Sequence, residues 1–353
     1  MGRIEKFIVR FETFAVLVSL GFYIWFLRRF GLGQIYGYLK LAAWGLCLTV
    51  ALESISRIAN TFGWRVTILD YPRRLRFREL FAARIAGEAI DYITPTAQLG
   101  GQPVMATMVR RKLTMAVGLA TVSIAALTEA IGQLGFITAA LVIAIPLVAK
   151  VHSLFWPLIG GMTLAISLAA GFFYVQTKRP FELLRRAASG LMPLLNDPEL
   201  KDGAAQADAV LADIYAHHRG RVVISSLCYL VAWSMGPVEI YILLRLLHQP
   251  VPLLVPLAVE AVGLLIERAT FLIPAKLVSQ EGGKALILAL LGYPAGVGFV
   301  VGLLRRIKEM AWVLFGLSAF AIHRLGTQRE TQEAGAREAR SAAVLRAQGE
   351  QSL

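Results

Sequence analysis

"GEAIDYITPTAQLGGQPVMATMVRRK", residues 87–112, starts as a helix with two carboxylates, stops at Pro95, crosses Gly100-Gly101 and resumes toward Arg110-Arg111-Lys112. Whether this stretch crosses a bilayer or turns back inside it decides the fold. Arg65, Arg73, Arg74, Arg76 and Arg78 crowd its upstream side. Lys and Arg gather in cytoplasmic loops, so both flanks read as cytoplasmic. Residues 81–109 are therefore predicted to enter the membrane, turn between Pro95 and Gly101, and leave by the same face as a re-entrant helical hairpin. Irregular backbone at that depth is tolerated only against protein or a water-filled cavity, so the hairpin implies a polar interior.

The rest of the chain supports a membrane setting. Of its 353 residues 57% are apolar and 17% charged, with a mean hydropathy of +0.62, too greasy for a water-soluble domain of this size. Apolar stretches recur at 13–27, 41–52, 113–149, 154–175, 222–244 and 296–322, near or above the ~20 residues that cross a bilayer as helix. Helix is the expected form throughout, since an open sheet leaves its backbone unsatisfied in lipid. The net charge of +13 sits in short runs beside apolar segments, which reads as membrane topology rather than a nucleic-acid surface. The first stretch ends in Leu27-Arg28-Arg29 without a small-residue cleavage motif and is expected to stay as an anchor. Cys47 and Cys228 lie in apolar spans far apart and read as small hydrophobes.

Six spans are preferred. Residues 113–149 are long enough for two short spans turning between Glu129 and Gln133, or for one tilted helix. One helix places Lys178, Arg179, Arg185, Arg186, Arg219, Arg221, the N-terminus and the tail in the cytoplasm of a bacterial-type inner membrane. The loop 178–220 mixes both charge signs around Pro180, Pro193 and Pro198 and predicts amphipathic surface helices. The tail after residue 322 is rich in Ala, Glu, Gln and Arg and reads as a solvated or disordered end.

A second copy of the opening motif lies at 264–292, "LLIERATFLIPAKLVSQEGGKALILALLG". Glu88 precedes Pro95 by seven residues and Glu267 precedes Pro274 by seven; Gly100-Gly101 and Gly282-Gly283 follow, the second copy carrying about three extra residues. Glu129 lies 34 residues after Pro95, and Glu309 lies 35 after Pro274. The expectation is an all-α integral membrane protein of about six transmembrane helices plus two re-entrant hairpins in inverted repeats. Residues 1–150 form the first repeat with its hairpin at 81–109, residues 151–322 the second with its hairpin at 252–292, and 323–353 a polar tail. Inverted repeats of this kind bring broken helices together at the bilayer midplane, where transporters bind substrate. The plainer reading is that Pro and Gly are simply common in membrane helices.

Arg84, Glu88 and Asp91 share one helical face before the first break. Glu260, Glu267 and Arg268 precede the second break, and Lys276, Gln280, Glu281 and Lys284 surround it. A charge near the bilayer centre costs ~2.5 kcal/mol or more, so these groups, with Arg305, Arg306, Lys308 and Glu309 of the last span, must face a cavity or one another. A structural ion-pair set that pins the hairpins is the competing reading. The restarts at Gly100 to Pro103 and Gly282 to Lys284 would offer helix N-termini to an anionic headgroup such as phosphate, beside Gln102. No Walker loop, nucleotide-binding glycine fingerprint, nucleophile elbow or zinc-protease helix occurs. His217-His218 read as surface residues rather than a metal site. No cofactor and no metal are expected.

The pattern of Glu88, Pro95, Gly101 and Gln102 before Arg110-Arg111, then "LIPAKLVSQEGGKALILALLGYPAGVGFVVGLLRRIKEMAWVLFGL", resembles the flippase-like membrane domain of lysylphosphatidylglycerol synthases. The resemblance spans roughly residues 10–322 and is most specific from Leu272 to Leu317. That family also has stand-alone members, some similar to a protein associated with hopanoid biosynthesis. It implies an inner-membrane protein that moves lipids between leaflets, with Glu88, Gly101, Glu281 and Arg305 or Arg306 as cavity residues. The chain departs from the family's usual pattern at Gln102, and at Glu129, Ala130 and Gln133. The soluble aminoacyl-transferase domain of the fused synthases has no counterpart here, so lysyl transfer by this chain is not expected. The expected partners are membrane lipids, phospholipid or isoprenoid, with a lipid-synthesis enzyme as a further candidate. The rival expectations are a membrane-embedded transferase using the same carboxylates as general bases, and a non-catalytic membrane partner of such an enzyme.

Overall fold

The computed structural model describes residues 28, 32–69, 75–94, 100–149, 151–189, 198–269 and 279–351. Both prolines of the repeated motif, Pro95 and Pro274, and the first apolar stretch lie outside the described residues. Within them the chain is helical, without strands. In order these are α1 (Leu32–Thr67), α2 (Phe77–Ile93), α3 (Gly101–Val109), α4 (Met115–Val148), α5 (His152–Gln176), α6 (Pro180–Ser189), α7 (Pro198–His217), α8 (Arg219–Leu246), α9 (Leu254–Ala269), α10 (Ser279–Leu290) and α11 (Ala295–Gln351).

Four of these contain segments long and apolar enough to cross a membrane, in α4, α5, α8 and residues 295–328 of α11. They show the apolar surface that lipid requires: Val142, Ile143, Leu164, Leu168, Val223 and Leu227 are exposed. The 36-residue α1 matches them in length but carries Glu53 and Arg57 inward. The choice left open at 113–149 resolves as one continuous helix, Met115–Val148, capped by the Thr114 side chain, which accepts from Val117 N–H. Its 34 residues at ~1.5 Å each rise about 50 Å, so it overhangs or tilts.

The helices order into two ends. At the basic end, Arg221 of α8 donates to the carbonyls of Val66 and Ile68 at 3.2 and 2.9 Å, closing the C-terminus of α1. There too Trp64 and Thr67 bond Thr121 of α4, and α7 lays Ala207, Leu211 and Ile214 on Ala116, Ala120 and Ile124. Asp208 of α7 accepts from Phe181 and Glu182 N–H and so caps α6. Both helices fall within 178–220. At the opposite end Tyr38, Val148, Leu247, Val251, Val255 and Leu288 share one apolar cluster.

The first hairpin, α2–α3, opens at the basic end. Lys112 Nζ reaches the two Glu79 carboxylate oxygens at 2.7 and 2.6 Å, so the segment leaves beside the point where it began. The second, α9–α10, begins and ends in the apolar cluster of the opposite end. The helices preceding the hairpins pack antiparallel: Ser225 Oγ donates to Gly63 O and Ser56 Oγ to Ala232 O, while Gly45 lies against Leu246. The helices following them exchange. Phe136, Ile137 and Ala140 of α4 pack on Ala261, Leu264 and Leu265 of α9, whereas Gly316 of α11 lies on the Ile85 carbonyl of α2. Close approach through small residues is how membrane helices associate.

Two expectations need correction. The tail does not leave the fold as irregular chain; α11 runs on to Gln351. Ala, Glu, Gln and Arg are strong helix formers, and Glu333 precedes Arg337 at the favourable four-residue spacing. The second hairpin resumes at Ser279 rather than at Gly282, so Gly282, Gly283 and Lys284 sit inside α10.

Candidate functional site

Between the hairpins lies a buried chain of alternating charge. Arg84 of α2 donates to Glu129 of α4 at 2.7 Å and to Glu88 at 2.6 Å. Glu88 also pairs with Arg57 of α1, whose guanidinium holds Glu53 at 2.8 Å. Lys308 of α11 bridges Glu53 at 2.9 Å and Glu239 of α8 at 2.7 Å. Arg305 joins Glu239 at 3.4 Å to Glu260 of α9, which it binds through two nitrogens. Each cation touches two carboxylates, and the chain runs from the first hairpin to the second without leaving the interior.

Further pairs flank it. Arg306 holds Glu281, whose side chain is wholly buried, with Nη2 at 2.9 Å. Lys284 lies 3.7 Å from Glu267, and Gln280 donates to Glu309 at 3.0 Å. Tyr229, fully buried, sits 3.4 Å from Arg84 Nη1 and under its guanidinium. Burying isolated charges would cost several kcal/mol each, and alternation answers that cost while leaving no cation unbalanced.

Local backbone positions these groups. Glu129 and Glu309 each stand fourteen residues beyond the starts of α4 and α11, Met115 and Ala295, and so reach the same depth from opposite ends. Gly302 lets α11 press onto α10; a Cβ there would lie 2.6 Å from Glu281 Cα, so only glycine admits this approach. At the first hairpin Gly101 meets the Gly87 carbonyl as closely, and its N–H donates to Asp91 Oδ1 at 2.7 Å.

Asp91 therefore occupies the start of α3 that the sequence offered to an external phosphate. A carboxylate is the favoured occupant of a helix N-terminus, and here the chain supplies its own. Arg305 and Arg306 likewise face Glu260 and Glu281 rather than open space. Gly100 caps α3 and Gln102, half-buried, lies in its first turn. Gly282 and Gly283 lie within α10 past its first residues, Gly283 beside Ile266 of α9. Arg268 belongs to α9, but its side chain, like Pro95 and Pro274, lies outside the described residues. The described members of the predicted set, from Arg84 and Glu88 to Glu281 and Glu309, gather around this one interior.

Sequence reasoning omitted a third of the chain of charge. Glu53, Arg57 and Glu239 were available as charges in apolar stretches, the signal that marks functional membrane residues. The stretch 41–52 ends one residue before Glu53, which hid it.

Several polar atoms of this interior are buried without a hydrogen-bond partner: Trp312 Nε1, Arg57 Nε, Asn60 Oδ1 and Gln280 Oε1. Tyr92 lies next to Glu309, and Arg57 sits 5.7 Å from the Trp312 ring centre. Buried donors and acceptors are almost always satisfied, so this mixed set calls for water or a polar ligand group. Among the described residues no group of three His, Cys, Asp or Glu is placed to hold a metal ion.

A family model described as the lysylphosphatidylglycerol synthase TM region matches residues 13–317. No curated protein and no solved structure matches the chain.

Proposed function

The chain belongs to the lysylphosphatidylglycerol synthase transmembrane-region family, and from that footing we propose that it is a lipid transporter of a bacterial-type inner membrane. It passes a polar, anionic headgroup between leaflets while the tails stay in lipid. The halves 1–150 and 151–322 act as inverted copies whose hairpins enter from opposite faces. The basic end faces the cytoplasm, where Lys and Arg concentrate.

The supporting observation is the set of unpartnered buried polar atoms on Arg57, Asn60, Gln280 and Trp312. A solely structural network would satisfy its members, because an orphaned polar group costs ~1–3 kcal/mol. Shared pairing suits passage of a phosphate. Lys308 and Arg305 each hold two carboxylates, so either can turn one contact to a phosphate without becoming bare. A mobile headgroup needs binding weak and divided in this way.

The test is leaflet exchange of tail-labelled phosphatidylglycerol in liposomes, read by dithionite quenching, with the lipid recovered for mass analysis. The wild-type chain is expected to speed exchange and return the lipid unaltered. Glu88→Gln plus Glu281→Gln should slow it by roughly tenfold, the equivalent of ~1.4 kcal/mol, with Glu309→Gln as a milder variant should the pair fail to fold. Exchange that is equal with and without the protein, or unchanged in both variants, contradicts the reading. A chemically altered lipid would point instead to a transferase.

A further inference from the structure

The basic end holds a cavity outside the chain of charge. It measures about 360 Å³ and lies between the end of α3 and the stretch 320–328 of α11. Arg110, Arg111 and Arg324 line it together with Met108, Phe320 and Thr327, and no carboxylate contributes to its wall. In the interior every described cation faces a carboxylate, so this concentration of one sign is of another kind.

Among the described residues Glu79 is a carboxylate near this end, and Lys112 holds both its oxygens. The Thr107 and Thr327 hydroxyls donate to Pro103 and His323 carbonyls at 2.7 and 3.0 Å, which leaves their oxygen lone pairs, not their protons, toward the cavity. Arg110 and Arg324 are thus its anion-binding groups. Arg324 lies 5.8 Å from the Phe320 ring centre, which steadies its guanidinium beside the apolar wall.

The height of the cavity tells what chemistry fits. The apolar stretch of α11 ends at Ile322, just before His323 and Arg324, which are themselves lining residues, so the cavity sits where an apolar helix gives way to charge, as it does where headgroups meet acyl chains. Met108 is nearly buried and Phe320 half-buried. A cationic rim over an apolar floor at that level matches a phosphodiester with the first methylenes of its chains, and basic pockets between membrane helices take anionic lipids in this way. Arginine guanidinium forks suit phosphate oxygens better than point charges do.

We propose that this cavity is a binding site for one anionic phospholipid of the cytoplasmic leaflet, held through its phosphate by Arg110 and Arg324. It stands apart from the transport path and does not depend on that path being one. Because the lipid touches the end of the first hairpin and the last membrane helix at once, it clamps the two halves together.

The experiment uses the full chain in detergent, incubated with phosphatidylglycerol, phosphatidylcholine or inorganic phosphate and read by native mass spectrometry and by thermal unfolding. One phosphatidylglycerol should be retained on the wild type and raise its melting temperature. Arg110→Gln plus Arg324→Gln should cut that retention about tenfold, while Arg110→Lys plus Arg324→Lys keeps part of it. All four substitutions lie at exposed positions, and an unchanged melting temperature without lipid verifies that the variants fold. Retention of phosphatidylglycerol equal in the Gln variant and the wild type overturns the proposal. Stabilisation by inorganic phosphate alone, or equal retention of phosphatidylcholine, overturns the assignment to an anionic lipid. The Glu88→Gln plus Glu281→Gln protein should retain the lipid as the wild type does, which separates this site from the transport reading.

Discussion

The two hairpins share a backbone plan and divide their charge in opposite ways. In the first, the cation stands on the hairpin and the carboxylate on the helix that follows: Arg84 of α2 reaches Glu129 of α4. In the second, carboxylates stand on the hairpin and cations on the following helix, with Glu260 and Glu281 bound by Arg305 and Arg306 of α11. Counted from the starts of α4 and α11, Arg305, Arg306 and Lys308 fall where the first half has Ala125, Ala126 and Thr128, while Glu129 and Glu309 coincide. The plan tolerates either arrangement because alternation of sign, not the place of a given sign, is what makes buried charge affordable. It also concentrates positive charge on one late helix that touches both hairpins.

Removing single partners breaks this comparison most strongly. Arg306→Leu strands Glu281, which is wholly buried and bonded to Arg306, and is expected to cost about 3–5 kcal/mol. Loss of a monodisperse peak in size-exclusion chromatography would report it. Arg84→Leu should be milder, since Glu88 keeps Arg57 and Glu129 is part-exposed. Replacing Glu281 and Arg306 together by Leu should recover most of the loss. Equal damage from both single variants would mean the two hairpins are not built on different terms.

A smaller effect separates the hairpin tips. Asp91→Ala removes the acceptor for Gly101 N–H and should cost about 1 kcal/mol, as loss of a helix cap does. Hydrogen exchange should then rise in α3 while α10 stays protected.

The helical membrane class was legible, because long apolar runs are strong signals in sequence, and so was the presence of charges such as Arg84, Glu88, Arg305 and Arg306 among them. The pairing was not. Nothing in the run "LLRRIKEM" tells that Arg305 turns to Glu260, Arg306 to Glu281 and Lys308 to Glu53, since those partners come from three other helices. Nor does the order of residues show that Asp91 reaches the N-terminus of its own hairpin's second helix, because that depends on how the chain turns between them. The tail misled because the absence of an apolar face was weighed above its helix-forming composition.

The least effect belongs to the surface helix α6, a control outside the membrane. Hydrogen bonds from Arg185 and Arg186 hold the Glu182 carboxyl down to about 2. A lowered carboxylate stabilises above its unfolded value and loses that effect as pH falls toward the folded one. The difference in melting temperature between wild type and Glu182→Gln should therefore be small and constant from pH 8 to about 5, then shrink on further acidification. A difference that grows on acidification would be the wrong sign.

The central claim is that the hairpins enclose a wet, charged chamber within the membrane. It is tested most directly by labelling single cysteines, placed in a Cys47→Ser, Cys228→Ser chain, with a small charged thiol reagent in intact membranes. Tyr92→Cys, whose native hydroxyl is buried, should react, whereas Leu286→Cys, 55% exposed on the outer face of α10, should not, because lipid covers it. Reaction at Leu286→Cys with none at Tyr92→Cys would show a dry interior and contradict the account.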